Sequence, residues 1–352
     1  MTSQESMRLL GTLTIRFSED KRSALVYEFV DNKKLRAVAF NLDSLRPIWE
    51  QTLDAEDWKS EENFQQLVFT NRAEAFFIQE ENNRIGNEKH RFKVQKADSL
   101  GKTSFSLPIK DFAIVDIKFS FDNVNRKLVG AGVLAVKNFN KAQGYFHFSI
   151  PPQYKDNDAL KIYKEGFEDE FVSTLLGKKT TDNKGLMDIK LQEIVHRRDG
   201  GILAVFEQVK VVERRINTTS GRFVDNLRAS TDYYHENFFA VSITSDGTTT
   251  WKSVFYKKQM SQDDDGKYSS YCLVKTPSTL RFLFNGSPVP RITACQFNFF
   301  ILFNAANARS TPFCISIRET TANRGVSDSG ARPSLSCKRV LLPARFSRVS
   351  KS

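Results

Sequence analysis

Three consecutive carboxylates stand beside a glycine in Ser261-Gln262-Asp263-Asp264-Asp265-Gly266. Calcium takes roughly six to eight oxygen ligands, and clustered aspartates on a loop are its usual source. The run lacks the D-x-D-x-D-G order and the bidentate Glu that would follow it. It reads first as a solvated turn, with Asp263 and Asp265 as the residues that would hold calcium. Just upstream, Lys257, Lys258 and Gln259 lie close in sequence to Trp251 and Tyr256. Cations beside aromatic rings serve cation–π contacts and carbohydrate stacking, so these five are the candidate binding residues. The competing structural reading is that they alternate between the two faces of a strand. A third constellation centres on Glu207, which follows the apolar run 202–206. An inward carboxylate paired with Glu193 or Asp199 is the equipment of general acid–base hydrolysis, and Glu207 is the one catalytic candidate.

Other chemistries leave no mark. His90, His147, His196 and His235 show none of the H-x-H, H-x-x-x-H or H-E-x-x-H spacings of metal sites. There is no nucleophile elbow G-x-S-x-G, no P-loop and no G-x-G-x-x-G. Beyond the calcium loop, no cofactor is expected. Cys272, Cys295, Cys314 and Cys337 form no C-x-x-C pair and read as free thiols, with two disulfides as the alternative in an oxidising compartment. Asn217-Thr218-Thr219 matches a glycosylation acceptor, which matters only in an exported eukaryotic chain.

The elements that must position these residues are strands. Residues 238–245 alternate apolar and polar side chains, Ser245-Asp246-Gly247 supplies a turn, and 248–256 continues as a second strand. The same texture recurs from Leu13 onward. Strands are expected at 13–18, 24–30, 35–43 and 46–53, then at 66–71, 74–81, 90–98 and 102–109. A third set reads 113–122, 127–136, 144–151 and 159–167. A fourth reads 187–197, 202–215, 238–245 and 248–256, interrupted by a polar insertion from Ile216 to His235. Strands at 269–275 and 279–285 begin a fifth set. One short helix is expected, from Glu168 to Leu176. The sets align on their last two strands: VAFNLDSLRPIW, FKVQKADSLGKTSF and FAVSITSDGTTTW share an alternating strand, a polar turn and a following aromatic. A repeating unit of about 45–70 residues with four antiparallel strands predicts an all-β fold, a β-propeller-like array of four-stranded blades. The alternative is two β-sandwiches.

The segment D-G-T-x-x-W (246–251), with Lys257-Lys258-Gln259, Ser261, the turn 263–266 and Ser269-Ser270-Tyr271, resembles a family of uncharacterised bacterial proteins. That family is propeller-like and usually carries export signals. Gly200-Gly201-Ile202, Glu207-Gln208 and Tyr233-Tyr234 fit the same pattern. The resemblance spans roughly residues 10–285 and is most specific over 198–285. It implies a propeller scaffold and, where an export signal precedes the chain, an exported or periplasmic location; a complete chain implies a cytoplasmic one. It transfers no catalytic residue. The sequence departs from the family in opening without an export signal and in losing the pattern after Asn285.

Net charge is +11, but residues 306–352 hold nine Lys/Arg against only Glu319 and Asp328. A nearly balanced body argues against a polyanion partner, which leaves nucleic-acid binding to the tail alone. The expected organisation is a repeat domain over 1–305, whose ring of blades need not be complete, followed by a basic, disordered or non-native tail over 306–352. No apolar run reaches the length of a membrane span. The leading functional expectation is a non-catalytic scaffold that holds a protein or glycan partner on a propeller face. A glycan or ester hydrolase with its site at the propeller channel, and nucleic-acid binding through the tail, follow in that order.

Overall fold

The computed structural model describes residues 13–322 apart from 32, 56–63, 137–140, 157, 180–184, 217–227, 268, 277–278, 287–290 and 300–314. The chain divides into two units: Met1–Val209 with Asn237–Phe255, and Lys210–Glu236 with Tyr256–Ser352.

The first unit is a succession of four-stranded antiparallel meanders. The first sheet is β1 (Thr14–Phe17), β2 (Ser23–Asp31), β3 (Lys34–Asn41) and β4 (Arg46–Asp54). The second is β5 (Gln65–Phe69), β6 (Ala75–Glu81), β7 (Arg91–Asp98) and β8 (Gly101–Pro108). The third is β9 (Ala113–Asp122), β10 (Lys127–Ala135), β11 (Gly144–Ile150) and β12 (Ile162–Gly166). After the helix α1 (Asp169–Leu176), the fourth comprises β13 (Ile189–His196), β14 (Ile202–Ile216), β15 (Arg228–Ile243) and β16 (Thr249–Phe255), with the end of β14 and the start of β15 belonging to the second unit. In the second unit, β17 (Gln259–Gln262) pairs with the first half of β15. A fifth meander there is formed by β18 (Cys272–Lys275), β19 (Thr279–Gly286), β20 (Arg291–Phe299) and β21 (Ile315–Ala322). The rest of the basic tail lies outside the described residues.

The chain is therefore all-β and propeller-like. Period-two alternation gives each strand two usable faces, and the middle sheets bury both. On one side of the second sheet, Ala75, Phe77 and Ala97 meet Leu25, Leu35, Ala37 and Trp49 of the first. On its other side, Phe76, Ile78, Phe92 and Val94 meet Phe119, Phe121, Phe146 and Phe148 of the third. A sandwich would satisfy each sheet with a single partner; here successive sheets stack as blades. The third and fourth sheets meet through Val133, Tyr145, Leu191, Phe206 and Phe239, with Phe171 and Leu175 of α1 against the same cluster. The Phe206 and Phe239 rings stack at 4.9 Å, an arrangement that adds about 1 kcal/mol beyond the area buried. Gly130 on β10 is required by close approach, because a β-carbon there would overlap the Phe148 ring. The helix ends at Gly177 in the left-handed conformation, where its N–H and that of Lys178 satisfy the last carbonyls.

The blades are also joined through their backbones. Gln66 of the second sheet donates Nε2–H to the Phe119 carbonyl and accepts the Phe119 N–H at Oε1, both at 2.7 Å. Asn83 does the same for Ile114, at 2.8 and 2.9 Å. Gln95 does so for Asp54, at 2.5 and 3.1 Å. Between the third and fourth sheets, Asp116 accepts the Leu191 N–H, Lys118 donates to the Gln192 carbonyl, and Ser120 meets His196 at 2.8 Å. Burial pushes the Asp116 carboxyl up from its ordinary range.

One difference from the sequence expectation concerns the polar insertion 216–235. Residues 228–235 are strand, the first half of a 16-residue β15, paired from Asp232 to His235 with β17. Thr231, Tyr233 and Tyr234 suit a pleated strand, and the polarity of Ser230 and Asp232 conceals it. Residues 217–227 lie outside the described residues.

Two predictions follow from the packing. Replacing Gln66 with Leu removes both bonds to Phe119 and leaves a part-buried N–H and C=O unsatisfied. Urea unfolding should show a loss of about 2 kcal/mol. His147 on β11 is buried, its ring stacked on Tyr163 at 5.0 Å, and burial lowers its pKa to about 4 from 6.5. The unfolded chain therefore takes up a proton that the folded chain refuses. Stability should be complete above pH 6.5 and fall, by up to about 3 kcal/mol, as pH drops from 6.5 to about 4. His147→Gln should flatten that part of the pH–stability curve.

Candidate partner-binding face

In a four-stranded meander the first and third connections leave from the same end of the sheet. In the first unit that end carries the turns 18–22, 70–74, 123–126 and 197–201, together with the turns 42–45 and 99–100, the loop 151–161 and the turn 244–248. Hydrogen bonds tie the first group of turns blade to blade. The Asp20 N–H donates to Asn71 Oδ1 at 3.1 Å, and the Asn71 N–H donates to Asn123 Oδ1 at 3.0 Å. Asn123 Nδ2 reaches back to Glu19 at 2.7 Å, and Asn125 Nδ2 donates to the Arg197 carbonyl at 3.5 Å. Short polar side chains suit these turns because they bond to nearby backbone.

Three of the turns carry the same triplet: Asp43-Ser44-Leu45, Asp98-Ser99-Leu100 and Asp122-Asn123-Val124. Its third member points to solvent each time, at 75 % exposure for Leu45, 96 % for Leu100 and 73 % for Val124. The aspartates set two of the tips. Asp98 Oδ1 accepts the Leu100 N–H at 2.8 Å, and Asp122 Oδ1 accepts the Val124 N–H at 3.0 Å. Leu45 sits at φ 55, a left-handed conformation that costs a branched residue energy. The fourth blade has Ser245-Asp246-Gly247 here instead, and the Gly247 turn packs onto the Tyr163 ring of the third blade.

A charged network lies beneath the Leu100 and Val124 tips. Glu74, nearly buried, accepts from Lys96 Nζ at 2.8 Å, from Arg126 Nη2 at 3.2 Å and from Thr70 Oγ1 at 3.3 Å. Lys96 also reaches Asp98 Oδ2 at 3.0 Å. Burial pulls the Lys96 pKa down, but bonds to Glu74 and Asp98 outweigh it and hold the ammonium above its usual value. Burial likewise raises Asp98, and its bonds to Lys96 and to the Leu100 and Gly101 N–H groups reverse that, holding the carboxyl below its usual range. Both groups stay ionised, and the turns above them are fixed.

A second polar cluster fills the seam between the third and fourth blades. The Tyr145 hydroxyl meets Thr249 Oγ1 at 2.9 Å, Thr249 donates to Glu165 at 2.5 Å, and Lys252 pairs with the same carboxylate. Burial drives the Tyr145 phenol far above its normal pKa. Burial raises Glu165 too, but Lys252, Thr249 and Tyr145 together hold it below its usual range. The phenol is buried and stays protonated, and the groups engage one another. Chemically, the cluster is a brace.

The residues singled out in the sequence fall as follows. Trp251 is half-buried on β16 opposite Ser242, in the first unit. In the second unit Tyr256 and Lys258 are exposed, while Lys257 is buried and donates to Gln259 Oε1 at 3.1 Å. Gln259 Oε1 also accepts the Ser270 N–H at 2.7 Å. Glu207 is wholly buried within β14, opposite Lys190. Glu193 stands opposite Val205, and Asp199 caps its own turn through the Gly201 N–H and Arg197. In the acidic turn, Asp263 accepts the Thr231 N–H at 2.7 Å and Asp264 the Gly266 N–H at 2.9 Å. Asp265 meets Tyr233 and Lys267. Each of these carboxylates has its own partner, and among the described residues no three His, Cys, Asp or Glu side chains converge on a metal position. Sequence reasoning missed the three apolar tips. The repeated Asp–polar–apolar triplet was their signal, because an aliphatic residue is out of place in a turn.

No protein-family model matches the chain, and no curated protein sequence matches it. Among solved structures, the chain is similar to the β-propeller domain of the trilobed protease from Pyrococcus furiosus, at 10% identity and a TM-score of 0.31, over 81% of this chain and 82% of that one. It is similar to the WD40 domain of SCAP from fission yeast, at 5% and 0.33, over 82% and 71%. It is also similar to the polysaccharide lyase Uly1, at 8% and 0.32, over 81% and 77%. At that distance the likenesses bear on neither substrate nor partner. Among the described residues no helix is long and apolar enough to cross a membrane.

The charged network yields a prediction. Glu74→Gln leaves Lys96 and Arg126 without their shared anion in a largely desolvated site. Chemical denaturation should register a loss of about 2 kcal/mol.

Proposed function

We propose that the chain is a non-catalytic binding scaffold that holds a protein partner on the face carrying the three triplet turns. The observation that supports this reading is the repetition itself: three turns from three blades present an aliphatic side chain to water on the same end of the sheets. Scattered exposed leucines need no explanation. A recurring exposed position on braced turns, one of them at a strained φ, is different, and it favours contact with another surface. Aliphatic tips suit a protein better than a glycan, since sugar recognition relies on aromatic faces and hydroxyl-binding groups. The acids and bases around the tips are mixed, which fits a protein surface better than a phosphate backbone. A hydrolase built on Glu207 would need substrate to reach a wholly buried carboxyl.

The test is the double substitution Leu100→Asp with Val124→Asp. Both side chains are solvated, so unfolding should be unchanged within about 0.5 kcal/mol. Binding to a partner identified by cross-linking to the unmodified chain should weaken at least ~10-fold. Met187→Asp, at the other end of the sheets, should bind normally. Unaltered binding by the double variant would reject this face. Turnover of a glycan or ester that disappears in Glu207→Gln would replace the reading with the hydrolase.

A further inference from the structure

A shallow cleft of about 150 Å³ lies on the outer strands of the second blade. Cross-strand register puts Arg91 opposite Glu81 on β6, and Lys93 opposite Ser106 on β8. Ser104, two residues before Ser106, belongs to the same face. Asp156 reaches in from the loop after β11. The bonding inside the cleft is incomplete in a particular way. Arg91 uses Nε on Glu81 Oε2 at 2.7 Å, which among the described residues leaves its two Nη groups for another acceptor. Lys93 has no ion pair among the described residues. Asp156 uses Oδ1 on the Ser106 N–H at 2.5 Å, and Glu81 uses Oε2 on Arg91, so among the described residues one oxygen of each carboxylate is open. Ser104, Ser106 and Phe105 between them complete the lining.

From this arrangement we infer that the cleft binds one acidic sugar unit, a hydroxyl-rich ring carrying a carboxylate. The fork of Arg91 and the ammonium of Lys93 take the ligand's anionic group, since guanidinium and carboxylate match in a two-bond geometry. The open carboxylate oxygens of Glu81 and Asp156 accept from ring hydroxyls, which a bare anion does not offer. Small-molecule pockets usually exceed about 300 Å³, so a cleft of about 150 Å³ admits a single ring. The site lies on the outer strands of the second blade with Asp156 from the third, and it includes none of the three triplet turns proposed to hold a protein.

The experiment is a titration of the intact chain with glucuronate, followed by calorimetry and by shifts of the Ser104–Ser106 amides, with glucose and inorganic sulfate as separate arms. A site this shallow should bind glucuronate with Kd on the order of 1 mM. Lys93→Gln and Arg91→Gln should each weaken it at least ~10-fold without moving the melting temperature, because both side chains are exposed. Glucose should bind at least ~10-fold more weakly than glucuronate. Three results would overturn the inference: no shift at about 20 mM glucuronate; sulfate binding as tightly as glucuronate, which would mean that charge alone is read; or affinity unchanged in both variants.

Discussion

Everything in the blade array depends on what happens to the backbone groups at the margin of each sheet. A meander of four strands ends in strands whose outward N–H and C=O groups have no neighbour, and burying them unbonded costs about as much as a hydrogen bond each. β9 ends its sheet and still lies between blades, so its outward groups at Ile114 and Phe119 cannot all turn to water. Carboxamides from the preceding blade close the gap. An Asn or Gln side chain presents an acceptor and a donor side by side, as a peptide group does, and Gln66 and Asn83 each stand in for one residue of an absent strand. Apolar faces then set how tightly blades stack, while the amides set where along their length they meet.

The same division of labour explains the candidate face. Its aliphatic tips cannot hold themselves in place, since solvated leucines gain nothing from being ordered. Order comes from beneath, where Asp98 links the Leu100 turn to Lys96, Glu74 and Arg126. Paired charges of this kind contribute modestly to stability but fix geometry, because each ion has few alternative partners in a desolvated place. Turns fixed before a partner arrives lose less freedom on binding.

Much of this was legible in the sequence. The strand sets of the first three blades match the observed strands to within about three residues, because strands with one buried face must alternate, and the alternation survives in residues such as those of β3 and β7. The blade reading over the sandwich rested on the repeated strand count, and the use of both faces of the second sheet bears it out. The first half of β15 was hidden because its strand-forming tyrosines sit among Ser230, Asp232 and His235, polar residues that mimic a loop. The candidate face was hidden for another reason. Asp-Ser-Leu was visible as a turn, but which end of a sheet a turn occupies, and whether its neighbours come from other blades, is decided by topology. Glu207 after its apolar run reads as an inward carboxylate, and how completely the sheet encloses it is set by the packing of neighbouring strands.

The carboxamide stand-ins have a consequence for descent. Gln66 and Asn83 bond to main-chain atoms, and every amino acid except proline supplies those atoms. The residues at positions 114 and 119 can therefore change type over generations without breaking the contact, provided their bulk still fits the core. A lineage built on such joints can lose most of its recognisable letters while its strands stay in register. What selection must hold constant is a thin scatter of amides and turn aspartates, too sparse to stand out when whole sequences are compared.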